Sequence, residues 1–129
     1  MTDFSDALSV SSSGLAAQAR RLRHVAENIA NADTPGYRRK TIPFETVGRM
    51  QEAARVETGR VRLDRSALEK VFDPAHPMAD ESGHYFGSNV SLMMEIADAR
   101  EAQRSYEANL KMFDQTREMS AGLMDLLRR

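Results

Sequence analysis

Apolar side chains recur at alternating three- and four-residue steps at both ends of the chain and lose that rhythm in between. Phe4, Leu8, Leu15, Leu22, Val25, Ile29 and Ala32 mark one line, interrupted by Ser11 and Gln18. Leu92, Ile96, Ala99, Tyr106, Leu110, Phe113, Met124 and Leu127 mark the other. That period predicts two long helices, each burying a stripe against another helix. The simplest pairing is of the two with one another, as an antiparallel coiled coil whose buried seam is Leu8, Leu15, Leu22, Ile29, Ile96, Tyr106, Leu110 and Phe113. Beyond Asn109 the second stripe widens, because Met112, Met119, Leu123 and Leu126 lie on a further flank. A face wider than a two-helix seam needs an additional partner. With no third long helix in the chain, these four are candidates for contacts between subunits.

The chain divides into four segments: an N-terminal coiled-coil helix (1–34), an extended arm (35–54), a small β-hairpin segment (55–88) and a C-terminal coiled-coil helix (89–129). Thr2, Asp3 and Ser5 are candidate N-caps of the first helix. Gly14, with Ala16, Ala17 and Ala19, forms a small side that lets another backbone come close; the alternative is a fray point. Pro35-Gly36 suits the centre of a type II turn and ends the helix. Pro43 excludes a central strand, so 37–44 is expected as an arm running on into a short helix near 45–54. Val56, Val61 and Leu63 around Gly59 resemble a small strand or hairpin. Ser66 and Glu69 fit a capping box for one helical turn, although the residues after them read as a strand. A loop-rich hairpin over 71–89 follows, with Gly87, Ser88 and Asn89 capping the final helix. The fold class is mainly α with a small β-rich middle.

Composition sharpens this picture. At 129 residues the chain is the size of one domain, yet aromatics are 6% and Trp is absent, with a mean hydropathy of −0.53. Much of the apolar fraction is Ala and Met, so self-sufficient burial is thin. Eighteen basic and nineteen acidic residues leave a net charge of −1, which supplies no global field for nucleic acid or an anionic membrane. There is no cysteine, hence no disulfide and no thiolate metal site. No apolar run approaches the roughly 18 to 20 residues of a membrane span. The first thirty or so residues also lack the apolar core of a cleavable signal, so export, if it occurs, uses another route.

Candidate chemistry is sparse. His76 and His84 stand near Asp73, Asp80 and Glu81, a workable zinc set by residue type. They have no paired helical spacing to preorganise ligands, and ordinary loop polarity accounts for them better. Arg20, Arg21 and Arg23, then Arg38, Arg39 and Lys40, form two basic clusters without a nucleic-acid reading element. Salt bridges to acidic faces of neighbouring helices, or a solvated surface, account for them better. No catalytic, metal or cofactor-binding residue is expected, and no small-molecule or nucleic-acid partner.

The run Glu-Asn-Ile-Ala-Asn-Ala-Asp-Thr-Pro-Gly-Tyr at 27–37 resembles the signature shared by bacterial flagellar rod and hook proteins. The loop Asp-Pro-Ala-His-Pro-Met-Ala-Asp-Glu-Ser-Gly at 73–83 and Ser-Tyr-Glu-Ala-Asn at 105–109 are similar to those of the proximal-rod branch. Ser88-Asn89-Val90 departs from it, standing where a proline commonly precedes Asn-Val, and 49–68 matches poorly. The resemblance implies a non-enzymatic axial subunit of the basal body, exported through the flagellar type III apparatus and built into a helical periplasmic tube that transmits torque. Its partners would be copies of itself, other rod proteins and the export apparatus. Carried over residue by residue, Asn28, Ile29, Ala30, Asn31, Gly36 and Tyr37 mark the helix exit and the start of the arm. Asp73, Pro74, His76 and Pro77 mark the loop, and Tyr106, Ala108 and Asn109 the returning helix. The alternative is a soluble helical adaptor or export chaperone that grips partner helices with the same seams.

Overall fold

The computed structural model describes residues 2–50 and 52–129, and of Thr2 the backbone alone. Helix α1 spans Thr2–Ala30 and helix α2 spans Leu92–Arg128, rods of about 44 and about 55 Å. They pack together. Gly14 faces Asn109, Arg21 faces Asp98 and Glu101, and Asn28 faces Glu95, so the two helices run in opposite directions. Among the described residues no helix is long and apolar enough to cross a membrane.

The buried stripe is not the expected seam. On α1, Ser11, Gly14, Ala17, Val25 and Asn28 are buried, while Leu8, Leu15 and Leu22 are half-buried. On α2, Glu95 and Ala102 are buried, with Tyr106 and Phe113 half-buried. Ile29, Ile96 and Leu110, expected inside the seam, are 38%, 47% and 41% exposed. The reason is a turn of the helix about its axis: the line Gly14, Arg21, Asn28 meets α2, one position before Leu15, Leu22 and Ile29. Ser11, an apparent interruption, therefore lies inside. Small residues let the backbones approach and polar pairs fill the remainder, which leaves the large side chains on the flanks.

Between the helices the chain runs out and back. Strands β1 (Lys40–Thr41) and β2 (Phe44–Val47) lead outward, and β3 (Arg55–Thr58) and β4 (Arg62–Leu63) return. The pairings are antiparallel, β2 with β3 from Phe44↔Thr58 to Val47↔Arg55, and β1 with β4 as Lys40↔Leu63 and Thr41↔Arg62. Residues 59–61 thus oppose only 42–43, a one-residue excess that bends the hairpin as a bulge does. Pro43 sits at this break, where it has no amide to offer, and its carbonyl accepts from Gly59 N at 2.9 Å. Strand β3 leans on α1, with Val56 N donating to Ser13 Oγ at 3.1 Å and Arg20 donating to Thr58 Oγ1 at 2.7 Å.

Five local expectations change. The short helix near 45–54 is strand over Phe44–Val47, because pairing with β3 satisfies its backbone; Gln51 in that stretch lies outside the described residues. The strands flanking Gly59 pair with β2 and β1, not with each other. Ser66 opens no helical turn; its amide donates to Asp64 Oδ1 at 2.8 Å in an Asx-turn. The last hairpin, β5 (Lys70–Phe72) with β6 (His84–Phe86), closes loop 73–83. Helix α2 takes Ser91 as N-cap without a side-chain cap bond, so Gly87, Ser88 and Asn89 are not its caps. Asp3 and Ser5 fall inside α1, so neither caps it, and the Thr2 side chain lies outside the described residues.

Candidate functional site

The polar residues at the exit of α1 build a junction that ties the arm to both helices. Asn31 Nδ2 donates to Glu27 O at 2.8 Å, a second donor beside the Asn31 amide at 3.0 Å, and Thr34 Oγ1 donates to Asn31 Oδ1 at 3.1 Å. Tyr37 N then donates to Thr34 O at 3.2 Å across Pro35-Gly36, with Gly36 at φ 75°, as a type II turn requires. Gly36 N also reaches the carbonyls of Phe86 and Gly87, both at 3.1 Å, and Ser88 Oγ donates to Ala32 O. The turn is thereby docked on the β5–β6 hairpin.

Asn28, 1% exposed, lies at the centre. Its Nδ2 donates to Lys40 O at 2.9 Å and to Glu95 Oε2 at 3.3 Å. Its Oδ1 accepts from Lys40 N at 2.8 Å and from Tyr37 Oη at 2.9 Å. Both donors and both acceptor sites of the amide are used, so one side chain joins α1, the arm and α2. Burial pushes the Tyr37 phenol above its ordinary pKa, which keeps it protonated as a donor.

Glu95, fully buried, is neutralised from the arm. Arg39 Nε donates to Glu95 Oε1 and its Nη2 to Asp98 Oδ2 at 2.8 Å, with Asp64 at 4.0 Å. Burial alone would lower the Arg39 pKa, but the Glu95 hydrogen bond and the charges of Glu95, Asp98 and Asp64 raise it overall. The Arg39 backbone amide donates to Asn89 Oδ1 at 2.6 Å, and Asn89 Nδ2 donates to Asp64 O at 2.9 Å. Asn89 thus staples the arm to strand β4's exit. Lys40 Nζ meets Glu27 Oε2 at 2.9 Å; this hydrogen bond lowers the Glu27 pKa and raises that of Lys40. Arg21 adds Asp98 and Glu101, each at 3.6 Å. The cleft beside the junction is about 110 Å³, below the roughly 300 Å³ at which ligand pockets begin. Each base here is paired with at least one acid from another element, so the arrangement holds elements together.

Two family models match the two terminal segments, which supply Asn28, Tyr37, Asn89, Glu95 and Asp98 of this junction. The model described as flagella basal body rod protein covers residues 8–38, and that described as flagellar basal body rod FlgEFG protein C-terminal covers residues 81–126. The flagellar basal-body rod protein FlgC of Agrobacterium fabrum is 43% identical over 136 residues, covering 99% of this chain and 98% of that protein. The chain belongs to the FlgC family. FlgC of Aquifex aeolicus is 35% identical, covering 92% of this chain and 93% of its own, and FlgC of Salmonella typhimurium is 33% identical, covering 85% and 87%.

Other motif residues of this FlgC-family chain lie apart from the junction. Asn109 sits on α2 opposite Gly14, with Ala108 exposed beside it, and Ala30 is exposed at the end of α1. Asp73 organises the loop: its amide donates to Gly83 O at 2.9 Å and its Oδ1 accepts from Ala75 N at 3.2 Å. His76 Nδ1 accepts from Met78 N at 3.1 Å while its ring stacks on Tyr85 at 3.9 Å, and Pro74 and Pro77 are exposed. Met112, Met119, Leu123 and Leu126 are 57%, 58%, 40% and 66% exposed. Sequence reasoning expected the basic clusters to bridge to acidic helix faces or to lie in solvent, and Arg21 and Arg39 do bridge to α2; it did not single out Glu95 or Asp64, and it read Asn89 as a helix cap. The available signal was the pair Glu95 and Asp98, one turn apart on α2, opposite in charge to Arg38, Arg39 and Lys40.

Proposed function

We propose that this chain is a structural, non-enzymatic subunit of the proximal rod of the flagellar basal body. The observation that carries this is its near full-length identity to proteins named flagellar basal-body rod protein FlgC. That favours a rod subunit over a soluble adaptor or export chaperone.

In this reading the segments 1–34 and 89–129 act as a coiled-coil unit of an inner helical layer, and 35–54 with 55–88 project outward from it. Support comes from the placement of apolar surface. Met112, Met119, Leu123 and Leu126 lie on one side of the α1-facing stripe, while Leu92, Ile96, Leu110 and Met124, 40% to 49% exposed, lie on the other. Two exposed flanks suit two neighbours, drawn from copies of this chain and other rod proteins. The junction suits torque: twist applied to either helix reaches the arm through Asn28, Glu95 and Arg39. Export through the flagellar type III apparatus and residence in the periplasm complete the reading.

The test is a tagged chain expressed in a host lacking its own copy. Restored motility, with the chain in purified basal bodies, is expected. Recovery only in the soluble fraction, with no gain of motility, would overturn it.

A further inference from the structure

Strands β2 and β3 are held less firmly than the junction from which they extend. All four residues of β2 are exposed, and in β3 only Val56 and Thr58 are half-buried. Among the described residues two hydrogen bonds tie the pair to α1, from Val56 N to Ser13 Oγ and from Arg20 Nη1 to Thr58 Oγ1. No ion pair among the described residues reaches either strand. Beneath them a gap of about 390 Å³ remains, lined by Ser13, Ala16, Ala17 and Arg20 of α1 and by Val56 and Thr58 of β3. A joint made of two polar contacts over an unfilled gap has little apolar burial to keep it shut.

The backbone pattern makes the two strands one unit. Gly59 N donates to Pro43 O at 2.9 Å, and opposite residues of an antiparallel pair alternate between bonded and non-bonded. Along the register, Glu45 with Glu57 and Val47 with Arg55 therefore turn their backbones toward one another. Val56 N is left pointing the other way, at α1, where Ser13 receives it. The unit joins the body only through residues 42–43 and 59–61, where the one-residue excess already bends the chain. A Cβ on Gly59 would stand 2.9 Å from Pro43 Cγ, so the two connecting segments touch at a single point. On the body side of that point, Lys40 is fixed through both its amide and its carbonyl to Asn28.

We propose that β2 and β3 form a strap that lifts from α1 about Pro43 and Gly59 while the junction stays closed. Lifting uncovers the strip of α1 at Ser13, Ala17 and Arg20. The chain thereby has two parts of separate stability, the helices and arm locked through Asn28 and Glu95, and a strap whose angle to α1 changes. Opening is a property of the single chain and needs no partner.

Amide exchange reads the two parts separately, because Val56 N is bonded across the strap joint and Lys40 N within the junction. After correction for intrinsic rates, Val56 should exchange on the order of a hundredfold faster than Lys40. Low urea should accelerate Lys40 and leave Val56 nearly unchanged, since lifting the strap exposes little apolar surface. Thr58→Ala removes the Arg20 bond and leaves the Val56 bond in place; it should speed Val56 exchange by about two- to tenfold with Lys40 unaffected. The chain has no cysteine, so Ala17→Cys supplies a single thiol at a position 3% exposed in the closed chain. Its alkylation by iodoacetamide should accelerate by the same factor when Thr58→Ala is added. Circular dichroism checks that the variants keep their helices. Equal rates at Val56 and Lys40 with the same urea dependence, or parallel acceleration of both in Thr58→Ala, would overturn the strap, because it would then open only with the whole fold. Val56 exchange or position-17 labelling indifferent to Thr58→Ala would overturn it as well, since the joint would then fray at one bond without lifting.

Discussion

Gly14 on α1 lies directly against Asn109 on α2: a methyl group added at Gly14 would stand 2.9 Å from Asn109 Nδ2 and 3.0 Å from its Cγ and Oδ1. Asn109 is not free to swing, since its Nδ2 donates to Ser105 O at 3.0 Å. The notch therefore sets how the two helices slide along one another.

Gly14→Leu should lower stability by about 1–3 kcal/mol through overpacking. Gly14→Ala combined with Asn109→Ala should be more stable than Gly14→Ala alone, because the clash is gone and the helix-propensity gain of about 1 kcal/mol remains. Thermal melts at one fixed protein concentration measure both. A Gly14→Leu chain that melts with the parent would show that the helices do not approach closely here.

Removing Arg39 leaves Glu95 buried and unpaired. Arg39→Ala should cost about 3–5 kcal/mol, whereas Arg39→Met with Glu95→Leu should recover most of that loss, because the desolvated charge disappears with its partner. Chemical denaturation of the parent and the two variants is the measurement. Equal losses in the single and double variants would place Glu95 in contact with solvent.

Tyr37→Phe deletes one of four hydrogen bonds to Asn28 and should cost about 0.5–1.5 kcal/mol, less than Asn28→Ala, which strands several partners at once. Amide exchange at Lys40, whose N donates to Asn28 Oδ1, should speed up more in Asn28→Ala than in Tyr37→Phe. The reverse order would contradict the bonding described.

Stability should be flat near neutral pH and fall at both extremes. Hydrogen bonding from Lys40 holds Glu27 below its ordinary 4.5, and the amide of Ser66 holds Asp64 below 3.8. Depressed carboxylates stabilise the fold above their unfolded values, and the contribution is lost as pH falls through the folded ones. The window opens below about pH 4.5. Burial holds Tyr37 above 10.0, so its contribution is present below that pH and is lost as pH rises through the raised value. Melts across pH should show both arms, and Tyr37→Phe should reduce the alkaline one without abolishing it, since the raised pKa of Lys40 contributes there as well.

Met119→Glu with Leu126→Glu should leave the melt of a dilute sample within about 0.5 kcal/mol of the parent, since both side chains are exposed. Incorporation into basal bodies should be lost. Unchanged incorporation would exclude this flank from contacts between subunits.

Much of the architecture was legible because its signals are local. A three- and four-residue apolar rhythm identified both helices, Pro35-Gly36 identified the turn, and the punctuated run over 71–89 identified the last hairpin. Within the junction, Asn28 and Tyr37 stood out as motif residues, but their bonding did not. Glu95 looked like any solvated helix residue, and its partner Arg39 lies far away along the chain. Asn89 read as a cap and instead holds the arm, because Ser91 already begins α2.

Residue order alone determines that this chain makes two long helices with a short β-rich middle, since helical period and turn chemistry depend on neighbours a few residues away. Which faces of the helices meet was decided only in the folded molecule. Leu15, Leu22 and Ile29 carry the stronger hydrophobic line, yet the line through Gly14, Arg21 and Asn28 meets α2. Close backbone approach at small residues and a set of partners from three distant segments outweigh apolar area on that face, and no single segment contains that balance.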